Sequence, residues 1–169
     1  MEKEIKEIVK ELELCDETAE VELVEALESV TKSNTFLALD AEIIFKVLKK
    51  ESVNVFTSTL ANCVDNCAIS RKEKILNAFQ HAMKLVSPEN NIEIKPQIIN
   101  AKTIISIIRG TNDLKLSVVE EAISLLKTAT NAKDIFVGAD CSLEKGVRIV
   151  LITSSDEIDG QVNNEKLAA

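Results

Sequence analysis

Apolar residues recur along this chain in two rhythms, and the change from one to the other marks out the elements. Over residues 2–14, Ile5, Ile8, Val9 and Leu12 fall on one stripe of a helix, with Glu and Lys elsewhere. Cys15-Asp-Glu-Thr18 breaks that pattern, and a second helix is predicted over about 19–31. Its inward face is Leu23, Val24, Leu27 and Val30, and its outer face is Glu20, Glu22, Glu25 and Glu28. Ser33-Asn34-Thr35 reads as a turn. Asp40 then stands where it can cap a short third helix running to Leu48, with Ile43, Ile44, Val47 and Leu48 inward. Val53–Leu60 is rich in β-branched residues and reads as a strand, and Ala61–Ile69 as a polar loop. Ser70-Arg-Lys-Glu73 is a capping box that opens a long helix with Ile75, Leu76, Phe79, Ala82, Met83 and Val86 on one face. Ser87–Pro96 reads as a loop, followed by an extended segment from Gln97.

The stretch from Thr103 to Ser154 is the most informative. Thr103–Ile108 is apolar on both faces, as expected of a central strand covered on both sides. It ends at Arg109-Gly110-Thr111-Asn112-Asp113, a turn composition. A helix is predicted next, with Leu116, Val119, Ala122, Ile123 and Leu126 at helical spacing and Ser117 with Glu120 as a second capping box. Asp134–Gly138 is a second apolar strand. A strand–helix–strand unit of this length predicts a right-handed crossover between parallel strands. After a polar turn, Val147–Thr153 is read as a strand returning antiparallel to its predecessor through a hairpin.

Charge and composition narrow the functional classes. The 169-residue chain has a net charge of −8, which argues against a nucleic-acid surface, since that needs clustered Lys and Arg. Residues 1–32 carry 11 acidic against 4 basic side chains, a net of −7. They are read as solvated outer faces of surface helices, with an acidic docking surface as the alternative. Aromatics make up 3% of the chain, so Ile, Val and Leu must fill the core. No signal peptide or membrane-length apolar run is present, so a reducing cytoplasm is expected, with Cys15, Cys63, Cys67 and Cys141 as free thiols. Cys63 and Cys67 are the close pair, but His81 is the single histidine, so no metal site is expected. Off its helix's apolar stripe, His81 reads as a surface residue. Lys166-Leu167-Ala168-Ala169 resembles a translated cloning-site linker, and on that reading the chain is a cut domain.

Several of these residues, taken in order, resemble the C-terminal domain of FtsZ, the bacterial and archaeal tubulin homologue. The resemblance runs through Gly110-Thr-Asn-Asp113-Leu114-Lys-Leu116-Ser-Val-Val119-Glu-Glu121-Ala122, then Ala132-Lys-Asp-Ile-Phe-Val-Gly138, then Val147-Arg148-Ile-Val-Leu-Ile-Thr153. Upstream, Ala19–Thr31 is similar to the helix before the family's catalytic loop, and Leu37-Ala38-Leu39-Asp40-Ala41-Glu42-Ile43 to the loop itself. The implied fold is α+β: a mixed sheet of about four strands with two long helices packed on it, preceded by an N-terminal helical extension. The implied division is an acidic helical segment over 1–35, the α+β domain over 36–156 and a disordered tail over 157–169.

In that family the loop enters a neighbouring subunit's nucleotide pocket, and its carboxylates position the water that attacks GTP. The family's Asn falls here on Ala38, its first Asp on Asp40 and its second Asp on Ile43, so two of three polar positions are lost. Glu42 is adjacent but, on a helix, points about 100° away from the required direction. Asp40 and Glu42 are therefore only residual catalytic candidates, and Asp40 is more simply a helix cap. The family's glycine-rich phosphate loop has no counterpart. The four glycines, Gly110, Gly138, Gly146 and Gly160, lie far apart, so no nucleotide, cofactor or autonomous catalysis is expected.

The expected function is a filament-associated or polymer-regulating interaction module, partnered by a tubulin/FtsZ-type protein or by itself. One alternative is a small-molecule-binding or enzymatic α+β domain, with Cys63, Asp65, Cys67 and His81 as its polar cluster. Another is a homo-oligomeric structural module docking through residues 1–32.

Overall fold

The structure, a computed structural model, describes residues 1–14, 16–32, 34–60, 77–78, 82–86 and 92–156. Its centre is a four-stranded mixed sheet of β1 (Val53–Leu60), β4 (Thr103–Arg109), β5 (Asp134–Asp140) and β6 (Val147–Ser154), in the spatial order β1-β6-β4-β5. A separate antiparallel pair joins β2 (Lys84–Val86) to β3 (Ile92–Ile94). The helices are α1 (Glu2–Glu11), α2 (Glu17–Thr31), α3 (Ala41–Leu48), α4 (Pro96–Ile99) and α5 (Leu116–Ala129). The architecture is α+β, as the sequence predicts, although most of the second long helix expected over 70–86 lies outside the described residues.

The sheet is covered on both faces, and strand alternation explains how. Along β4, Ile104 and Ile108 point to one side and Ile105 and Ile107 to the other, all fully buried. On the first side they meet Val118, Val119, Ala122 and Leu126 of α5, with Ala78, Ala82 and Met83 and with Ile149 and Leu151 of β6. On the second side they meet three helices: Ile5, Ile8 and Val9 of α1, Leu23, Ala26, Leu27 and Val30 of α2, and Ile44, Val47 and Leu48 of α3. Each such isoleucine contributes about 1.5–3 kcal/mol through removal of its apolar surface from water. The acidic N-terminal helices are therefore built into the core through their apolar stripes.

The predicted crossover is present: β4 and β5 pair in parallel, Thr103 opposite Asp134 through Arg109 opposite Asp140, with α5 between them in sequence. The predicted hairpin is not. β6 pairs antiparallel with β4 and with β1, leaving β5 on the other side of β4. The reason is burial. β4 and β6 are buried at all but one position each and take the two central places, whereas β5 is half-buried at three of its seven positions and takes the edge. The β5–β6 connection therefore passes over the end of β4, where Gly110 N–H donates to Asp140 O and Leu143 N–H donates to Gly110 O. Gly146, with φ 79°, supplies the left-handed residue that this connection needs before β6.

Other boundaries depart from the sequence reading for local reasons. α1 stops at Glu11 instead of Leu14 because Glu13 enters left-handed backbone at φ 48°, closing the helix with its N–H on Lys10 O. α2 begins earlier than expected, its N-cap Asp16 accepting from Thr18 N–H at 2.9 Å. The capping box expected at Ser117 does not form: Ser117 is already the second helical residue, and the N-cap is Lys115, with no side-chain bond. Val118 takes the buried place expected of Leu116, which is 52% exposed. The chain from Lys84 to Val86 is strand, not the end of a helix. Ile92–Ile94 is strand within the expected loop. Pro96–Ile99 is a helical turn where extended chain was expected, with Pro96 at its first position, a place whose fixed φ suits proline. The Ala61–Ile69 loop, the Ser70–Glu73 capping box and the tail over 157–169 lie outside the described residues.

Candidate functional site

The segment from Thr35 to Ile43 is seated against the open edge of β5. Leu37 forms an antiparallel bridge with Ala139, its N–H donating to Ala139 O at 3.0 Å and accepting at its carbonyl from Ala139 N–H at 2.9 Å. Thr35 Oγ1 donates to the same Ala139 carbonyl at 2.9 Å. Leu39 N–H donates to Val30 O at the end of α2, and the Leu39 side chain is buried against β5. Room for it exists because position 138 is glycine: a Cβ there would lie 2.8 Å from Leu39 Cγ and Cδ1 and 3.0 Å from Val30 Cβ.

The loop's chemistry follows from what remains exposed. Asp40 is exposed and is the N-cap of α3, its Oδ1 accepting from Glu42 N–H at 2.9 Å and its carbonyl accepting from Ile44 N–H. The sequence reading of Asp40 as a cap is realised in this geometry. Glu42 is exposed in the first turn of α3, where a negative charge suits the helix dipole. Ala38 is exposed, and Ile43 is half-buried against the core formed by α1–α3. Ile43 is thus a packing residue. Phe36 stands 43% exposed beside Leu37. The segment therefore presents one aromatic ring and two carboxylates.

A charged row at the same end of the sheet was not anticipated. Arg109 lies opposite Asp140 in β5 and opposite Arg148 in β6, all three on the face covered by α2. Glu25 of α2 reaches over, its Oε2 lying 3.5 Å from Arg109 Nη1 and 3.3 Å from Arg148 Nη1. Arg109 Nε is 3.6 Å from Asp140 Oδ2, which also accepts from Ser142 Oγ. Two arginines share one carboxylate, so Glu25 relieves the repulsion between neighbouring strands while tying α2 to the sheet. Arg109 and Arg148 are the lone charges of β4 and β6 and Asp140 closes β5, and nothing in a linear pattern says that the three align. Cys141 is half-buried beside this row. Burial first, and then the Asp140 charge, pushes its thiol above the ordinary range. Elsewhere, Lys95 Nζ lies 4.6 Å from the centre of the Phe56 ring, and burial lowers that ammonium's pKa.

Cys63, Asp65, Cys67 and His81 lie outside the described residues, as does Cys15. Among the described residues, no group of three or more His, Cys, Asp or Glu side chains is placed to hold a metal ion. No described helix is long and apolar enough to cross a membrane.

Searches against protein-family models and curated proteins return no match. Solved structures do match. An FtsZ dimer from M. jannaschii aligns with 88% of this chain and 43% of its own at 16% identity, with a TM-score of 0.53. GDP-bound monomeric CetZ1 from Haloferax volcanii aligns with 88% of this chain and 41% of its own at 13% identity, with a TM-score of 0.52. GDP-form protofilaments of TubZ from Bacillus thuringiensis serovar israelensis give 89% and 39% coverage, 10% identity and a TM-score of 0.54. The fold is thus FtsZ/tubulin-like, and the chain spans about two fifths of the length of these structures. Assignment to the C-terminal domain is consistent with this coverage.

Proposed function

From an FtsZ/tubulin-like fold, we propose that this chain is an interaction module of a tubulin-type polymer in cell division or a bacterial or archaeal cytoskeleton. It works in the cytoplasm, in, on or against filaments of an FtsZ-type protein or of itself, and carries no nucleotide site of its own. Residues 36–156 form the interacting domain, and residues 1–35 are its helical extension. The reading rests on one observation. The loop similar to the family's catalytic loop is held firmly against β5, yet its polar positions have become Ala38 and Ile43, and Asp40 caps α3. What remains is a loop seated on β5 with Phe36 exposed just before it, features that suit contact better than water activation. Any part in GTP hydrolysis would come through a larger GTPase or a filament, with Asp40 and Glu42 as the carboxylates available.

That matched structures include an FtsZ dimer and TubZ protofilaments supports self-association or association with a related protein. The test is sedimentation and negative-stain microscopy of FtsZ from the same organism, with and without this chain. Co-sedimentation, capping or altered filament length is expected, and Phe36→Ala should weaken it. Filaments unchanged in amount and length, with this chain left in the supernatant and itself monomeric, would remove the proposal.

A further inference from the structure

A shallow groove of about 330 Å³ runs between α1 and α3, on the outer surface of the helical layer. One wall is the stripe Glu4, Glu7 and Glu11 of α1, the other is Phe45 and Lys49 of α3, and Ile8 lies at its floor. We propose that this groove docks a basic amphipathic segment of a partner protein, taking one apolar side chain onto Ile8 and Phe45 and Lys or Arg side chains onto the glutamates. This inference does not depend on the polymer reading above.

Three observations carry it. The groove has an apolar floor between two walls: Phe45 is half-buried and packs against the same cluster as Ile8, so an incoming apolar group would extend an existing core. The rim is strongly one-signed. Three carboxylates face one ammonium, within a segment of 11 acidic against 4 basic residues that supplies most of the chain's charge of −8. Such a field draws in cationic partners and repels nucleic acid and anionic lipid surfaces. The spacing is also selective: Glu4, Glu7 and Glu11 rise over about 10 Å of helix, the repeat at which a partner helix places side chains at i, i+3 and i+7.

The contacts these glutamates make within the chain leave them exchangeable. Glu4 lies 3.9 Å from the N-terminal ammonium and Glu7 lies 3.9 Å from Lys3, both pairs well exposed. Exposed pairs of that kind hold weakly and yield readily to a better-placed cation. A small divalent ion is the poorer occupant, because the carboxylates do not converge on a common point.

The test uses the whole chain and a synthetic 14-residue helix bearing Lys at i, i+3 and i+7 around a single Leu, with a Glu-for-Lys helix as control. Binding is followed by anisotropy of a dye on the peptide and by amide chemical shifts of the protein. Saturable binding is expected for the Lys helix, with shifts at Ile8, Phe45 and Lys49. Combined Glu4→Lys, Glu7→Lys and Glu11→Lys should weaken it about tenfold or more. Combined Glu120→Lys, Glu121→Lys and Glu144→Lys, an equal charge change at exposed sites away from the groove, should weaken it far less. Equal losses from the two triple variants would mean diffuse attraction and overturn the proposal. So would shifts confined to other surfaces, binding of the Glu helix, preferential binding of anionic vesicles, or the same shifts from Mg²⁺ alone.

Discussion

Gly138→Ala adds a single methyl group to β5, and the structure specifies what it would strike. The new Cβ would lie 2.8 Å from both Cγ and Cδ1 of Leu39 and 3.0 Å from Cβ of Val30. Carbon atoms in contact prefer about 3.5–4.0 Å, so roughly 1 Å must be found. The tip of Leu39 can turn aside, but its Cγ is tethered to a backbone held by Val30 O, and Val30 Cβ is fixed on α2. Overpacking of that kind costs about 1–3 kcal/mol. With a urea slope of about 1–3 kcal/mol per molar for a domain of this size, the unfolding midpoint should fall by roughly 1 M. Amide resonances of residues 36–40 should move, because relief comes most easily by lifting the loop from the strand. Leu39→Ala alone should cost about 2–5 kcal/mol through the cavity it leaves. Since the added methyl fills part of that cavity, the double variant should cost less than the sum by roughly 1 kcal/mol. A Gly138→Ala protein as stable as the parent, or strict additivity in the double variant, would refute the claim that loop, helix and strand meet at this point.

Other expectations follow from the same geometry. Asp40→Ala should lower stability by about 0.5–2 kcal/mol in thermal or urea melts, whereas Asp40→Asn, which keeps the capping oxygen, should stay close to the parent. Glu13→Gly should raise stability by about 1 kcal/mol, since a residue with a side chain is held there in left-handed backbone. With Cys15, Cys63 and Cys67 replaced by serine, Cys141 should react with iodoacetamide more slowly at pH 8.5 than a free cysteine peptide, and Asp140→Asn should speed it in part. The sign for stability follows: a thiol that is a weaker acid folded than unfolded adds stability below the unfolded pKa of about 8.5, and loses it as pH rises beyond. A melting temperature that rises between pH 8 and 10 in that variant, relative to the same variant with Cys141→Ala, would contradict it.

The elements with strong periodicity were readable, and those set by long-range competition were not. Thr103–Ile108 announced a central strand because isoleucines on both faces have no other way to leave water. The stripes of α2, α3 and α5 announced themselves by spacing. The hairpin failed because adjacency in sequence competes with burial, and β6, buried at all but one position, is too apolar on both faces to take an edge place beyond β5. The capping box at Ser117 failed for a related reason: Leu114 and Val118 are drawn into the core, and their positions set where α5 begins. Asp40 was legible as a cap because capping is a local act. The row of Arg109, Asp140, Arg148 and Glu25 was not, since alignment across three strands and a helix depends on register, which no local window contains.

The bridge between Leu37 and Ala139 has a further consequence for how the chain can meet another molecule. A loop stitched to a strand at Leu37, to a helix end at Leu39 and to a carbonyl by Thr35 has little conformational freedom left to lose. A partner that meets Phe36 and Asp40 therefore finds them already arranged, and association need not wait for the loop to order itself. Variants that loosen the stitching at a distance from the contact should slow encounter and weaken binding together, although every residue that touches the partner is unchanged.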